Sequence, residues 1–403
     1  MMLKVQRYGD KMNLLFFLGS GVSLKSGLPD TKAITESLIN GKWWHHTDQN
    51  FYPGEQSNPV FAKFEITPKI QGFLKYLKEY SDMNYQGFEE ANYEDLYFLV
   101  KQIHDELTHE TYNPALKFFI DHLQEKYNFG KNPEIADFDI PIDFNQFIWK
   151  AEDFINCVVW QSLPVKSLPV GFDLLKEVIE SGKFDKVDIA TTNHDLLIET
   201  FLEQNSIGLV DGFSAPDGDF CYLIPDLYKS EDAKVRLFKL HGSVNWYRVR
   251  REYDEVKKQT IDHYAKVLRN HWRMNDSKGN FIGSTLEHYP MFLTGTINKL
   301  SEYNFGIVRY IHIAFDSELM HHKTIIMSGY GWNDKGINGR LQEWIMSSDE
   351  HKIILLHEDP ESLKKSKSAM WNSYDNLVKW GRLIPVKKWM SDTKLIDIIN
   401  LIK

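Results

Sequence analysis

Cysteine is scarce in this chain, which has only Cys157 and Cys221 among its 403 residues. Two thiols cannot supply a four-cysteine structural zinc site, and so low a count is typical of proteins from a reducing compartment. Basic residues are also fewer than acidic ones, with 47 lysines and arginines against 56 aspartates and glutamates. Nucleic-acid binding requires a basic footprint, so we expect no direct contact with DNA or RNA.

Long apolar runs are also missing. No segment approaches the roughly 20 residues that cross a bilayer, and the first residues lack the pattern of a signal peptide. We therefore expect a cytoplasmic protein without a membrane partner. The aromatic content of 14% is high and indicates aromatic-rich packing or surfaces for self-association.

The apolar run at residues 14–18 is the stretch around which the chain is organised. Five consecutive apolar residues without polar alternation predict a strand buried on both faces of a parallel sheet. Gly19 and Gly21 follow at once and allow a sharp turn with close backbone approach to a ligand. A helical pattern at about 31–39 would then direct free N–H groups at a phosphate. This arrangement predicts a cradle for a nucleotide pyrophosphate.

A second buried strand is predicted at 187–191 and further strands at 236–240, 291–293, 323–327 and 352–356. Residues 383–386 are predicted as an edge strand, where Pro385 is tolerated. Strands that alternate with helical patterns favour an α/β fold, here a Rossmann-like, doubly wound and mainly parallel sheet. Polar residues follow several of these strands, and ligand-binding groups collect at the carboxyl edge of such a sheet.

Two segments depart from this alternation. Residues 68–161 carry helical stripes, so we expect an inserted, mostly helical lobe at 41–169 between a first part of the sheet lobe at 1–40 and a second part at 170–403. Residues 248–289 are polar and charged and predict a smaller insertion. His45 and His46 are adjacent and have no acidic partner at helical spacing, so no metal site is expected.

Four motifs together resemble those of the sirtuin (Sir2) family, in the same order along the chain. Residues 19–23 and 26–30, Gly-Ser-Gly-Val-Ser and Ser-Gly-Leu-Pro-Asp, are similar to its Gly-Ala-Gly-x-Ser and Ser-Gly-Ile-Pro-Asp. Residues 192–195, Thr-Asn-His-Asp, resemble its Gln-Asn-x-Asp. Residues 239–246, Lys-Leu-His-Gly-Ser-Val-Asn-Trp, resemble its catalytic His-Gly in a form typical of bacterial defence-associated relatives. Residues 329–338 resemble the Gly-Tyr-Ser-x-x-Asp-x-x-Ile-Asn motif of sirtuin-like proteins.

This resemblance implies that NAD binds at the carboxyl edge. Asn193 would hold the reacting ribose and a water, and His241 would take a proton, which makes these two the candidate catalytic residues. Asp195 would hold the nicotinamide carboxamide, and the motif at 329–338 would face the adenosine half. The full implied cofactor-binding set is Gly19, Ser20, Gly21, Ser23, Asp30, Thr192, Asp195, Gly295, Thr296, Ser328, Gly329, Tyr330, Asp334 and Asn338.

Which reaction such an enzyme catalyses depends on the molecule that accepts the ADP-ribosyl group. Protein-deacylating sirtuins carry a four-cysteine zinc lobe that this chain cannot build, so water is the expected acceptor. The resemblance to the bacterial antiviral branch implies a regulated NAD glycohydrolase that depletes NAD during infection, forms homo-oligomers and pairs with a separately encoded partner such as a HerA-type ATPase. An NAD-dependent deacylase or ADP-ribosyltransferase, a non-catalytic NAD or ADP-ribose sensor, and a linear or cyclic product all stay open.

Overall fold

A computed structural model describes residues 12–46, 50–55, 66–84, 90–127, 129, 142–164, 167–251, 262–268, 274–286, 289–366 and 370–402. The chain divides into two compact units. The first unit consists of Met1–Leu28, Val165–Leu293 and Leu300–Lys403, and the second of Pro29–Pro164 and Thr294–Lys299.

The strands are β1 Met12–Leu18, β2 Trp43–His45, β3 Phe51–Pro53, β4 Phe184–Thr191, β5 Phe220–Tyr222, β6 Val235–Lys239, β7 Trp246–Arg251, β8 Asp262–Val267, β9 Met274–Asn275, β10 Phe281–Thr285, β11 Thr324–Ser328, β12 Lys352–Leu356 and β13 Leu383–Val386. The α-helices are α1 Thr31–Asn40, α2 Thr67–Asn84, α3 Tyr93–Leu107, α4 Pro114–Lys126, α5 Phe144–Ser162, α6 Asp173–Glu180, α7 Leu197–Gln204, α8 Lys299–Glu302, α9 Gly306–Leu319, α10 Lys335–Ser347, α11 Met370–Lys379 and α12 Leu395–Ile402. Short 3-10 helices occupy Ser20–Ser26, Pro225–Lys229, Pro360–Lys365 and Met390–Asp392.

Six strands of the first unit form one sheet in the order β13-β12-β11-β1-β4-β6, and every neighbouring pair is parallel. From β1 the chain moves outward through β4 and β6, and then builds the other half of the sheet through β11, β12 and β13. This is the strand order of a doubly wound Rossmann-like sheet, in which ligands bind beyond the carboxyl ends near the point where the order reverses. The predicted fold class is confirmed.

The register aligns the ends of the central strands. Leu18 of β1 pairs with Thr191 of β4 and with Ser328 of β11, and Thr191 pairs in turn with Lys239 of β6. The loops that follow these four strands therefore leave the sheet at the same level.

Burial explains why the run at 14–18 forms a central strand. All five residues are at most 1% exposed, as expected for a parallel strand covered on both faces. Leu15 and Phe17 join a core cluster with Ile311 and Phe315 of α9. The Phe17 ring also packs edge-on against Tyr330, with 4.9 Å between ring centroids.

A second sheet of the first unit is antiparallel, in the order β5-β8-β7-β10-β9. It includes much of the segment that the sequence predicts only as a polar insertion at 248–289. Its strands are short and charged residues stand between their apolar positions, so the apolar residues form no continuous run. A small core of its own holds this sheet together, formed by Phe220, Tyr247, Val249, Ala265, Val267 and Met274.

The strand predicted at 291–293 is wrong. Only Phe292 forms a β-bridge, with Gly242, and it is antiparallel. An apolar triplet is too short to distinguish a strand from an extended connection.

The second unit contains helices α1 to α5 and the β2-β3 hairpin. Its core is rich in aromatic rings, since Phe147 of α5 packs against Phe73 of α2 and Phe154 of α5 packs against Phe51 of β3. Helix α3 begins with a capping box, in which the Asn92 side chain accepts from Glu94 N and Asp95 accepts from Asn92 N. The acidic residues at this helix start thus have a local structural role.

Two kinds of feature are absent from the described residues. No group of three or more His, Cys, Asp or Glu side chains in this part of the chain could hold a metal ion. Among the same residues, no helix combines the length and the apolar character needed to cross a lipid bilayer.

Candidate functional site

The turn after β1 lies directly against the turn after β11. Gly19 N donates to Ser328 O at 3.0 Å, and Gly21 N donates to Gly329 O at 3.0 Å. A Cβ on Gly19 would lie 2.5 Å from Gly329 O, so a side chain does not fit here. Among the described residues, it is therefore the backbone of the turn after β11 that approaches Gly19 closely and requires a glycine there.

Asn193 sits just beyond β4 and is held on one side of its amide. Its Nδ2 donates to Gly19 O at 3.2 Å and to Ser23 Oγ at 3.0 Å. The Ser23 hydroxyl donates its proton to Asp195 Oδ2 at 2.8 Å, so it can only accept from Asn193. These contacts fix the orientation of the amide.

The oxygen of the same amide, Asn193 Oδ1, is not held in this way by the described residues. Asn193 Oδ1 is buried and has no hydrogen-bond partner among the described residues. A buried acceptor left unsatisfied costs about 1–3 kcal/mol, and such atoms are rare in folded proteins. Asn193 Oδ1 is thus oriented to accept a hydrogen bond from a bound hydroxyl group or a water.

The backbone turn at 193–195 is anchored by Lys239, which is buried at the end of β6. Its ammonium donates to the carbonyl of Asp195, contacts the carbonyl of His194 at 3.4 Å and pairs with Glu199 at 2.9 Å. The second oxygen of Asp195 accepts from Leu197 N at 3.0 Å. Sequence analysis did not assign Lys239 a role, although it precedes the His-Gly pair within the same motif.

His241 follows β6, and contacts of the backbone at residues 241 and 242 hold it in place. Its carbonyl accepts from Leu293 N at 2.8 Å. Gly242 has a φ of +82°, and a Cβ there would lie 2.3 Å from Met291 O. The glycine of the His-Gly pair is therefore needed for both its backbone conformation and the space beside it.

The imidazole of His241 contacts two side chains from elsewhere in the first unit. Its Nε2 lies 2.9 Å from Asp334 Oδ2 and 3.1 Å from Tyr303 Oη. The Tyr303 hydroxyl donates to the same Asp334 oxygen. The second oxygen of Asp334 accepts from Ile337 N at 2.8 Å and so caps helix α10. Sequence analysis did not predict Tyr303, because no motif marks it.

Tyr303 lies in a stack of three rings. Its ring centroid is 6.1 Å from that of His241 and 4.2 Å from that of His312. Burial and the nearby Asp334 carboxylate raise the pKa of Tyr303 far above its ordinary value, which keeps its hydroxyl protonated. Burial and the Arg340 guanidinium lower the pKa of His312 to about 3, so this imidazole is neutral.

Three of the predicted cofactor-binding residues make hydrogen bonds in or beside the turn after β11. Tyr330 Oη donates to Asn338 Oδ1 at 2.9 Å, and Asn338 Nδ2 donates to Trp332 O at 2.7 Å. Ser328 Oγ donates to Leu356 O at 3.1 Å. These contacts fix the loop that carries Asp334.

The structure brings together most of the residues predicted for the site. Within the first unit, the ends of the central strands and the segments that follow them carry Gly19, Gly21, Ser23, Thr192, Asn193, Asp195, His241, Ser328, Gly329, Tyr330, Asp334 and Asn338. Ser20 is exposed in the turn after β1.

Asp30, Gly295 and Thr296 belong to the second unit. There Asp30 Oδ1 accepts from Ala33 N at 2.7 Å and caps helix α1. Thr296 N donates to Asn298 Oδ1 at 2.9 Å.

Comparison with known proteins finds likeness in sequence and in structure. Residues 187–378 match the family described as SIR2-like domain. No curated protein sequence matches the chain. The structure is similar to that of a Sir2 homolog–NAD complex at 12% identity and a TM-score of 0.28, with 92% of this chain and 89% of that chain covered. Two Sir2 homologue mutants in complex with ADP-ribose match at 11% identity, with TM-scores of 0.31 and 0.30 and 92% of each chain covered.

TM-scores this low carry no argument about the fold, which rests on the strand order and register. The sequence match begins within β4 and ends within α11. The span that is similar to SIR2-like domains, residues 187–378, includes Asn193, His241 and Asp334.

Proposed function

We propose that this protein is an NAD glycohydrolase, which uses water to cleave the bond between nicotinamide and ribose and releases nicotinamide and ADP-ribose. One observation carries the proposal. Asn193 is held with its Oδ1 unpaired among the described residues, and it follows the strand next to the one that His241 follows. An amide acceptor and an imidazole are the groups that this reaction requires.

The chemistry follows from these two groups. Departure of nicotinamide as a neutral molecule leaves an oxocarbenium-like ribose, as in glycoside hydrolysis, and needs no strong acid. Asn193 Oδ1 accepts a hydrogen bond from a ribose hydroxyl or from the attacking water and so orients it. The imidazole of His241 takes the proton that the hydroxyl or the water loses, which an imidazole does well near neutral pH.

We assign the remaining predicted residues to substrate binding. The turn with Gly19, Ser20, Gly21 and Ser23 lines the pyrophosphate. Thr192 and Asp195 serve the nicotinamide side, and Ser328, Gly329, Tyr330 and Asn338 serve the rest of NAD. The corresponding division of the chain is an NAD-binding lobe at 1–40 and 170–403 with an inserted helical lobe at 41–169.

In the cell, such an enzyme would act as a regulated antiphage effector that depletes cytoplasmic NAD and arrests the infected host. An unregulated NAD glycohydrolase would harm its own cell, so the chain is held weakly active until a signal acts. We propose a homo-oligomer with a separately encoded partner such as a HerA-type ATPase. The partner must bind the active state more tightly than the inactive state to shift the population between them.

The test is to incubate the purified protein with NAD and to separate the products by chromatography, with and without the candidate partner. Nicotinamide with linear or cyclic ADP-ribose, formed without any added acceptor, is the expected result. Nicotinamide release only in the presence of an acyl-lysine peptide or another protein acceptor would instead identify a deacylase or transferase. Calorimetric binding of NAD or ADP-ribose without cleavage under any of these conditions would identify a sensor.

A further inference from the structure

His241, Tyr303 and Asp334 converge from three separate segments of the first unit. The histidine follows β6, the tyrosine follows helix α8, and the aspartate is the N-cap of α10. All three are at most 6% exposed. Their polar atoms meet at a single point, where Asp334 Oδ2 is contacted by His241 Nε2 at 2.9 Å and by the Tyr303 hydroxyl.

The hydrogen-bond donors and acceptors around Asp334 Oδ2 determine the tautomer of His241. The Tyr303 hydroxyl gives its only proton to Asp334, so its oxygen faces His241 as an acceptor at 3.1 Å. Asp334 Oδ2 is an acceptor as well. Because His241 Nε2 lies within hydrogen-bond distance of two acceptors, the proton of the neutral ring belongs on Nε2, and Nδ1 carries the lone pair.

We propose that Asp334, assisted by Tyr303, is a positioning residue for His241: it holds the imidazole in the tautomer with Nδ1 basic and stabilises the imidazolium that forms during the reaction. This inference rests on the proposed function and assigns Asp334 a task other than contact with the adenosine half of NAD. When Nδ1 takes a proton, the O–H bond of a ribose hydroxyl or water breaks and an N–H bond forms. The resulting positive charge lies beside a carboxylate.

The carboxylate itself is well suited to stay charged. Asp334 Oδ1 accepts from Ile337 N, and the group sits at the N-terminus of the 13-residue helix α10, whose dipole favours a negative charge. Because both oxygens are engaged, the side chain cannot rotate away from His241 without the loss of a helix cap. Ring orientation and charge stabilisation therefore come from a single fixed group.

Among the described residues, the other titratable groups named here lie farther from His241 Nε2 and do not take the place of Asp334. His312 stacks on the far face of Tyr303, with 4.2 Å between ring centroids, and its low pKa keeps it neutral. Arg340 lies over the Tyr303 ring at 5.4 Å and pairs with Asp316 at 3.5 Å. On the other side, the His194 ring centroid is 6.2 Å from that of His241.

Asp334→Asn tests the proposal because asparagine is also a good N-cap and preserves the shape of the side chain. The expected result is a fall of about 10- to 100-fold in kcat with KM changed by less than about threefold. Loss of the negative charge also moves the acidic limb of the pH profile of kcat/KM to lower pH by about one unit. Tyr303→Phe keeps the ring stack and is expected to give a smaller fall in kcat.

Matched controls separate positioning from packing. Asp143→Asn makes the same change at the N-cap of helix α5, where Asp143 accepts from Gln146 N. Tyr374→Phe removes the hydroxyl of another buried tyrosine of the first unit. Both controls should keep the wild-type kcat and pH profile, and melting temperatures identify any variant that fails to fold.

Two results would overturn the inference. One is an unchanged kcat and pH profile in folded Asp334→Asn, and the other is a raised KM at unchanged kcat, which would indicate direct contact with NAD. A wild-type protein that does not cleave NAD would instead contradict the proposed function. In that case, 15N NMR of labelled histidine still decides the tautomer, with His241→Asn to assign the signal. A proton on Nε2 of His241 that Asp334→Asn redistributes supports the inference, and a proton on Nδ1 in the wild type refutes it.

Discussion

Replacing Gly19 by alanine tests why the turn after β1 needs glycine. The added Cβ would lie 2.5 Å from both Gly329 O and Tyr330 Cα, about 1 Å short of an ordinary contact of roughly 3.5 Å. Both neighbours are backbone atoms of a loop that hydrogen bonds tie to this turn, so neither can move alone. Overpacking of this kind costs about 1–3 kcal/mol.

The displacement would also stretch the hydrogen bond from Gly21 N to Gly329 O, which is 3.0 Å long and contributes about 1 kcal/mol. We therefore expect Gly19→Ala to lower the free energy of unfolding by about 2–4 kcal/mol, even in the absence of any nucleotide. Urea denaturation followed by tryptophan fluorescence measures this loss.

Gly208→Ala is the matched control, because Gly208 is exposed and a Cβ there meets nothing within 4 Å. Its effect should stay within about 0.5 kcal/mol. If Gly19→Ala is as stable as this control and only nucleotide binding is weakened, the glycine serves the ligand, and the reasoning from backbone contact is refuted.

Two further predictions concern buried charge. The side chains of Arg236 and Asp188, each 1% exposed, form an ion pair at 2.6 Å. Arg236→Met should therefore lower the free energy of unfolding by about 3–5 kcal/mol. A double-mutant cycle with Asp188→Asn that gives no coupling energy would contradict this. The pKa of His312 is lowered to about 3, so as the pH falls below about 6.5 the unfolded chain takes up a proton that the folded chain does not. Stability should therefore decline between pH 6.5 and pH 3, less steeply in His312→Gln, and identical melting curves of the two proteins across this range would contradict the assignment.

The large sheet could be predicted from sequence because its strands are buried on both faces. The run at 14–18 is wholly apolar, and the charged Asp188 of β4 and Arg236 and Lys239 of β6 are paired inside the core. The antiparallel sheet could not be predicted in the same way. Charged residues stand between the apolar residues of its strands, and β9 has only two residues.

The candidate site was predictable where residues adjacent in sequence form a motif. Asn193 and His241 follow neighbouring strands, as the motifs indicate. Tyr303 was missed because its contact with His241 spans 62 residues of sequence. The contact between Asp334 and His241 was missed for the same reason, since tertiary packing rather than local spacing brings these side chains together.

The rate of nicotinamide release from NAD by wild type, Asn193→Ala and His241→Ala tests the central claim most directly. Asn84→Ala, at an exposed asparagine of helix α2, serves as the control, and circular dichroism verifies the fold of each variant. We expect the wild type and the control to cleave NAD at equal rates. Each site variant should lose at least about 100-fold in rate, or on the order of 3 kcal/mol in the barrier. Near-normal cleavage by well-folded Asn193→Ala would contradict it.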